Sequence, residues 1–242
     1  MAENKGENRP GGQADCRRCG ACCLAGGPAL HTADLPLLQN GAIPREDLLT
    51  VRRGELADNP GTGRVQATRV ELVKIAGSGR DWRCRYYDGQ EKGCRIYGRR
   101  PLACEALQCW DTAAILELVE KDVLGRLDII GADDPLRPLI VEHEELCPLP
   151  GLERIAASPL DVDAAERQAL QLLVARDLAF RDRAVRQLGL SLGVELFAFG
   201  RPIFQLLAPL GIRIAISAAG PVLQWPEKGN GTLPASRNVP SR

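Results

Sequence analysis

The chain has 242 residues, of which 45% are apolar, with 31 basic and 31 acidic side chains and nine cysteines. That length suits one domain or one domain with an appended module, and the apolar fraction supports a core that needs no disulfide staples. Zero net charge excludes a global electrostatic pull toward nucleic acid or an anionic membrane, and no run reaches the roughly 18–20 apolar residues of a membrane span.

Residues 1–14 are polar and Gly-rich, are expected to be disordered, and lack the apolar run of a signal peptide. The thiols are therefore expected in a reducing, cytoplasmic compartment, where clustered cysteines are metal ligands more often than disulfides. Residues 15–110 carry eight of the nine cysteines and are broken by Pro28, Pro36, Pro44 and Pro60. Thr32 is expected to cap a short helix before Leu35, Leu37 and Leu38. Residues 65–75 (VQATRVELVKI) read as one strand, and 82–87 (WRCRYY) as a second short strand that delivers Cys84.

Residues 111–225 read as mainly helical. Asp111 or Thr112 can cap a helix to about Leu127, with a stripe of Ile115, Leu116, Val119 and Val123. Ser158-Pro159 has the form of a helix start. The clearest helix runs from about Asp163 to Leu188, with Leu170, Leu173, Val174, Leu178 and Val185 on one face and Gly189 as its stop. Another spans about 192–207, kinked by Pro202, and 211–217 (GIRIAIS) reads as a final strand. Phe197, Phe199 and Trp225 are candidates for partner anchors, although burial in the core is the commoner fate of such residues. Residues 226–242 read like the first tail. The expected fold is α+β, mainly α. A small irregular cysteine-cluster region at 15–110, with one or two short strands, precedes a helical region at 111–225 that packs on it.

The cysteines carry the chemistry. Cys16-x2-Cys19-x2-Cys22-Cys23 is followed by Cys84-x9-Cys94-x9-Cys104-x4-Cys109, and Cys147 stands apart between Leu146 and Pro148. Two-residue spacing lets one tight turn aim two sulfurs at a single ion, and both zinc and iron–sulfur clusters take four such ligands. One CxxC is weak evidence, but two overlapping steps, a vicinal pair and four returning cysteines are not a chance scatter. A disulfide scaffold is the weaker alternative, and Cys147 reads as a buried apolar side chain. The first run resembles the start of a bacterial ferredoxin motif but has Gly26 where the fourth cysteine belongs. Eight thiolates can serve one cluster with distant ligands or two four-ligand sites. His31 is a weaker ligand candidate, with a cap or surface role favoured. Between Arg80 and Arg100 there are seven basic and three acidic residues, a surplus that either offsets thiolate charge or forms a solvated basic loop.

CRRCGACC at 16–23, WRCRYYD at 82–88 and GCRIYGRRPLACEALQC at 93–109 together resemble the YkgJ-type cysteine-cluster family, also named for its CxxCxxCC motif. The resemblance covers about 15–111. It implies a zinc- or iron-chelating domain with Cys16, Cys19, Cys22, Cys23, Cys84, Cys94, Cys104 and Cys109 as ligands. Tyr97, Arg100 and Pro101 fall in its linker, as supporting or turn residues. A flagellin lysine methylase carries a similar cluster, which keeps an enzyme in view.

No glycine-rich cofactor loop, Walker motif or His–Glu zinc-protease motif is present. Glu71, Asp81, Glu105 and Asp111 could act as acid or base but read more simply as surface carboxylates. The sequence therefore points first to a metal-binding protein using zinc or an iron–sulfur cluster. An iron–sulfur-dependent group-transfer enzyme and a soft-metal carrier are the alternatives. Its expected partner is a metal ion, with no nucleic acid and no membrane.

Overall fold

A computed structural model describes residues 16–218 and 220–226, so the expected tail at 1–14, and that at 226–242 apart from Pro226, lie outside the described residues. The fold is α+β and mainly α, with short antiparallel strand pairs in the cysteine-rich part and helices dominating the rest. A one-turn helix α1 (Ala21–Leu24) is followed by a 3-10 turn at 32–34 and α2 (Leu35–Gln39). Thr32 is not the cap of that segment. The backbone N–H of His31 donates to Asp34 Oδ2 at 2.9 Å and so closes the turn from outside.

The strands β1 (Leu48–Val51), β2 (Leu56–Asn59), β3 (Arg64–Ala67) and β4 (Leu72–Ile75) pair as β1 with β4 and β2 with β3. The single strand expected over 65–75 is thus two strands that belong to different sheets. Thr68 and Glu71 part them, because each side chain has a remote polar partner. Thr68 donates to the carbonyl of Arg52 at 2.9 Å, and Glu71 ion-pairs with Arg126. β1 is buried along its whole length, since β4 covers its edge and the helix at 192–199 lies across it. Gly193 makes that crossing close enough: a β-carbon there would stand 2.3 Å from the carbonyl oxygen of Glu46.

Two-residue strands follow, β5 (Gly77–Ser78) with β6 (Arg83–Cys84) and β7 (Tyr87–Asp88) with β8 (Gly93–Cys94), then α3 (Leu102–Ala106) and α4 (Ala113–Leu116). The helix expected to run from 112 to about 127 ends after α4. Glu120 and Asp122 take positive φ angles of 58° and 48°, which an α-helix does not admit. The chain instead makes an isolated antiparallel bridge between Val123 and His31. There Thr32 N–H donates to Asp122, Leu124 N–H to Leu30, and Val73 N–H to Leu124. Ladder bonds to two neighbouring segments replace the helical ones.

The remaining helices are α5 (Arg126–Ile129), α6 (Leu136–Leu146), α7 (Leu152–Ala157), α8 (Ala164–Leu188), α9 (Leu192–Phe199) and α10 (Ile203–Leu207). A hairpin of β9 (Arg213–Ser217) and β10 (Gly220–Gln224) closes the described chain. α8 matches its expected span. Asp163 Oδ1 accepts from the N–H of Glu166 at its start, and Gly189 ends it in the left-handed conformation. Ser158-Pro159 is a stop and not a start: α7 ends at Ser158, beyond which Pro159 has no N–H to offer. The helix expected over 192–207 breaks into α9 and α10 around Gly200 and Pro202. Phe197 and Phe199 are fully buried and Trp225 packs partly buried against the same core, so these aromatic groups are core residues and not partner anchors.

One apolar core holds Leu30, Leu48, Val73, Cys84, Ile140, Val174 and Phe197 together. Buried charge threads through it. Glu144 of α6 binds Arg52 with both carboxylate oxygens at 2.7 Å and also accepts from Arg126 at 2.6 Å, and Arg126 in turn pairs with Glu71. On α8, Asp177 accepts from His143 at 2.7 Å and Arg181 at 2.9 Å, and its other oxygen caps α10 through the N–H of Ile203. Arg181 also donates to the carbonyls of Phe199 and Gly200, satisfying the broken end of α9. Removing one member of such a set strands a charge in the core, which is costly.

Burial lowers the pKa of His143 below its ordinary 6.5, with the bond to Asp177 opposing and the nearby Arg181 and Arg52 reinforcing that shift. The unfolded chain then binds a proton near pH 6.5 that the folded chain resists, so stability falls as pH drops below that value. Urea denaturation from pH 7.5 down to pH 5.5 should show a falling midpoint, and His143→Gln should flatten the profile. An unchanged slope in the variant would place the titration elsewhere.

Candidate metal centre

The cysteines arrive from four elements. α1 carries the vicinal pair Cys22 and Cys23 and packs against β6, which carries Cys84. β8 carries Cys94 directly opposite Tyr87 of β7, and the main chain of Arg95 bonds back to Tyr86 at 2.9 Å. Cys104 sits in the single-turn α3, just after Pro101. These five, Cys22, Cys23, Cys84, Cys94 and Cys104, line one cavity of about 430 Å³. Cys84 is buried, Cys23, Cys94 and Cys104 are half-buried, and Cys22 is exposed. Cys16, Cys19 and Cys109 are exposed and do not line the cavity.

Local structure explains the convergence. Gly20 precedes α1 with a φ of 77°, and a β-carbon there would fall 2.3 Å from the Tyr87 ring, so this glycine lets α1 approach the β7–β8 hairpin. Arg18 is also left-handed, and its N–H donates to Cys16 Sγ at 3.4 Å, the type of amide-to-sulfur bond that steadies a thiolate. Asp34 is buried and acts twice: Oδ2 accepts from His31, and Oδ1 accepts from the N–H of Leu102 at 2.8 Å. It therefore fixes the start of α3 and with it Cys104. Tyr86 is anchored by its hydroxyl, which donates to Asp47 at 2.6 Å.

The thiols influence one another. Burial pushes the Cys23 thiol far up, with Cys22, Cys94 and Cys84 adding to the shift. Burial likewise raises Cys84 and lifts Cys104 to about 12, and the neighbouring sulfurs disfavour ionisation of both. Without a cation Cys23, Cys84 and Cys104 are held as neutral thiols. Three thiolates so close would repel, and a divalent ion removes that obstacle. Among the described residues, no three of these eight sulfurs lie within 4.8 Å of one another, so the group is a convergence and not a closed coordination shell.

The donor set fits zinc or an iron–sulfur cluster, both of which take thiolates in fours. Positive groups stand beside it. Arg18 and Arg100 stack on the Tyr97 ring at 3.9 and 4.0 Å, and the charge of Arg100 reaches Cys104. Arg100 Nε is buried without a hydrogen-bond partner, a donor to spare beside sulfurs that would become thiolates. Tyr97 and Arg100 thus have the supporting placement their sequence position implies, and Pro101 opens α3.

Other candidates resolve differently. His31 is buried, lines the cavity, and engages the carbonyl of Lys121 through Nδ1 at 2.9 Å. Glu71 is held by Arg126, and Asp111 accepts from the N–H of Ala113, while Asp81 and Glu105 are exposed. Cys147 is fully buried in the core, as a small apolar side chain would be. His143, Cys147 and Asp177 nevertheless form the one trio of donors, among the described residues, whose ligand atoms all lie within 4.8 Å of one another. Two of them are readable in sequence as an i, i+4 pair, but Asp177 comes from another helix. The Asp177 carboxylate is already taken by His143, Arg181 and Ile203, and the Arg181 charge opposes a cation there. Sequence reasoning also missed Asp34 and Lys74, which have no local motif.

These features define a thiol-rich metal-chelating domain. Residues 15–122 match the family model CxxCxxCC, described as "Putative zinc- or iron-chelating domain", which is the family the cysteine motif resembles. The matched span includes α4 and the turn after it, which also line the cavity. No curated protein and no solved structure matches the chain.

Loading must displace protons from thiols as un-ionised as Cys23, Cys84 and Cys104. Adding Zn²⁺ to the reduced, metal-free protein in weak buffer should release roughly one proton for each of these thiols that ligates. Binding without proton release, or with an affinity flat between pH 6 and 8, would mean that they are not ligands.

Proposed function

We propose that the chain binds zinc or an iron–sulfur cluster through thiolates of Cys22, Cys23, Cys84, Cys94 and Cys104, with Cys16, Cys19 and Cys109 as the further ligands that eight-thiolate chelation uses. The observation that carries this reading is the meeting of five thiols from α1, β6, β8 and α3 on one cavity. Residues 15–110 then form the metal-binding unit, and 111–225 form the helical region that supports it. A metal would organise this part of the chain, whose pieces are too short to bury much on their own. Reduced thiols require a compartment such as the cytoplasm. No helix among the described residues is long and apolar enough to cross a membrane.

The cavity itself favours a second reading, a centre that works on a small molecule, as in an iron–sulfur-dependent group-transfer enzyme. A purely structural zinc site is closed by its four ligands and leaves no such space beside it. A soft-metal carrier gains nothing from a half-enclosed cavity.

Anaerobic purification with elemental analysis and a visible spectrum tests the leading reading. Stoichiometric zinc in a colourless protein, or iron with absorption near 400 nm, is expected. Cys84→Ser and Cys104→Ser should lose most of the metal, whereas Cys147→Ala should keep it. Full metal content in both serine variants would refute this site.

A further inference from the structure

The cavity extends well beyond the thiols. Val51, Ala57, Ala67 and Leu72, one from each of β1 to β4, line it, as do Leu118 and Val119 from the turn after α4. Lys74 stands among them. On β4 it alternates with buried Val73 and Ile75, so the pleat turns its side chain out of the core and toward the cavity. The ammonium has no hydrogen bond or ion pair among the described residues. The neighbouring acids lie on or near the cavity but form no ion pair with the ammonium: Glu55 is buried and held by Arg201, Glu120 accepts from the N–H of Arg69, and Asp58 is exposed. Burial lowers the Lys74 pKa and Arg201 nearby adds to the effect, while Cys84, Asp58 and Glu55 oppose it more weakly. A lysine amine among largely apolar walls with no carboxylate bonded to it is a costly arrangement that a ligand's negative charge would relieve.

We propose that this cavity binds a small monocarboxylate with an unbranched apolar body, its carboxylate on Lys74 Nζ and its chain against Val51, Leu72 and Val119. A volume of about 430 Å³ lies in the lower part of the range of small-molecule sites. One cation suits one negative charge. A phosphate ester would bring a second charge and want several donors, and Asp58 and Glu120 on the same cavity repel a doubly charged group more than a singly charged one. The thiols Cys84 and Cys104 line the same chamber. The inference rests on the metal reading only in making this ligand a neighbour of the metal centre, because the Lys74 contact exists with or without the ion.

Calorimetric titration of sodium decanoate into the full-length, reduced, metal-loaded protein tests it, with decylamine and inorganic phosphate as comparisons. Decanoate should saturate one site and bind more tightly than either comparison compound. Lys74→Met should weaken decanoate by about tenfold or more, the worth of a charge-assisted hydrogen bond, with metal content unchanged. Ala57→Phe, which keeps the lysine and fills the chamber, should also abolish binding, and it decides the matter if Lys74→Met does not fold. Absence of saturation, tighter binding of decylamine or phosphate, or undiminished decanoate binding in the variants would overturn the proposal. Metal measured on the same samples separates the two ideas. Decanoate binding by reduced protein that takes up no metal sinks only the metal reading, and metal-loaded protein indifferent to decanoate sinks only this one.

Discussion

Thiolates repel one another, and everything specific about the cysteine-rich part of this chain follows from that constraint. Sulfurs brought together from α1, β6, β8 and α3 cannot all ionise in a half-buried space without a cation. Without a metal Cys23, Cys84 and Cys104 avoid the conflict by staying protonated, as their raised pKa values express. A dication reverses the preference and turns a repulsive cluster into an attractive one. The parts that hold the sulfurs in range are polar and local: Asp34 at the start of α3, Gly20 against Tyr87, and Tyr86 on Asp47.

The helical part fixes the platform on which this happens. Arg52 follows β1, Glu71 precedes β4, and both reach Glu144 of α6, directly or through Arg126. β1 and β4 form a wall of the cavity, so the charge network fixes that wall to the helices. The Asp177–Arg181 pair does the same for the α9–α10 corner that lies against β1. Hydrophobic burial alone would allow these elements to slide. A carboxylate that must meet two guanidinium groups allows fewer arrangements.

The cysteine set was legible because its spacing is a property of the sequence itself, and α8 was legible because a long periodic stripe between Asp163 and Gly189 needs no outside help. The failures share a cause. Residues 65–75 alternate well enough for a strand, but Thr68 and Glu71 answer to Arg52 and Arg126, which are distant in sequence. The stripe at 115–127 is helical in period, yet its second half pairs with residues 30–32 and β4, where backbone bonds are made across the chain. Ser158-Pro159 ends one helix in the same form in which such a pair begins another. Nothing in the sequence singles out Lys74, and only the cavity on its side of β4 makes it conspicuous.

X-ray absorption at the metal edge of protein purified without oxygen addresses the convergence of sulfur most directly. A first shell of four sulfur scatterers at about 2.3 Å is predicted, with iron–iron scattering added if the centre is a cluster. A first shell made of nitrogen and oxygen, or no bound metal at all in reduced protein, would contradict the account.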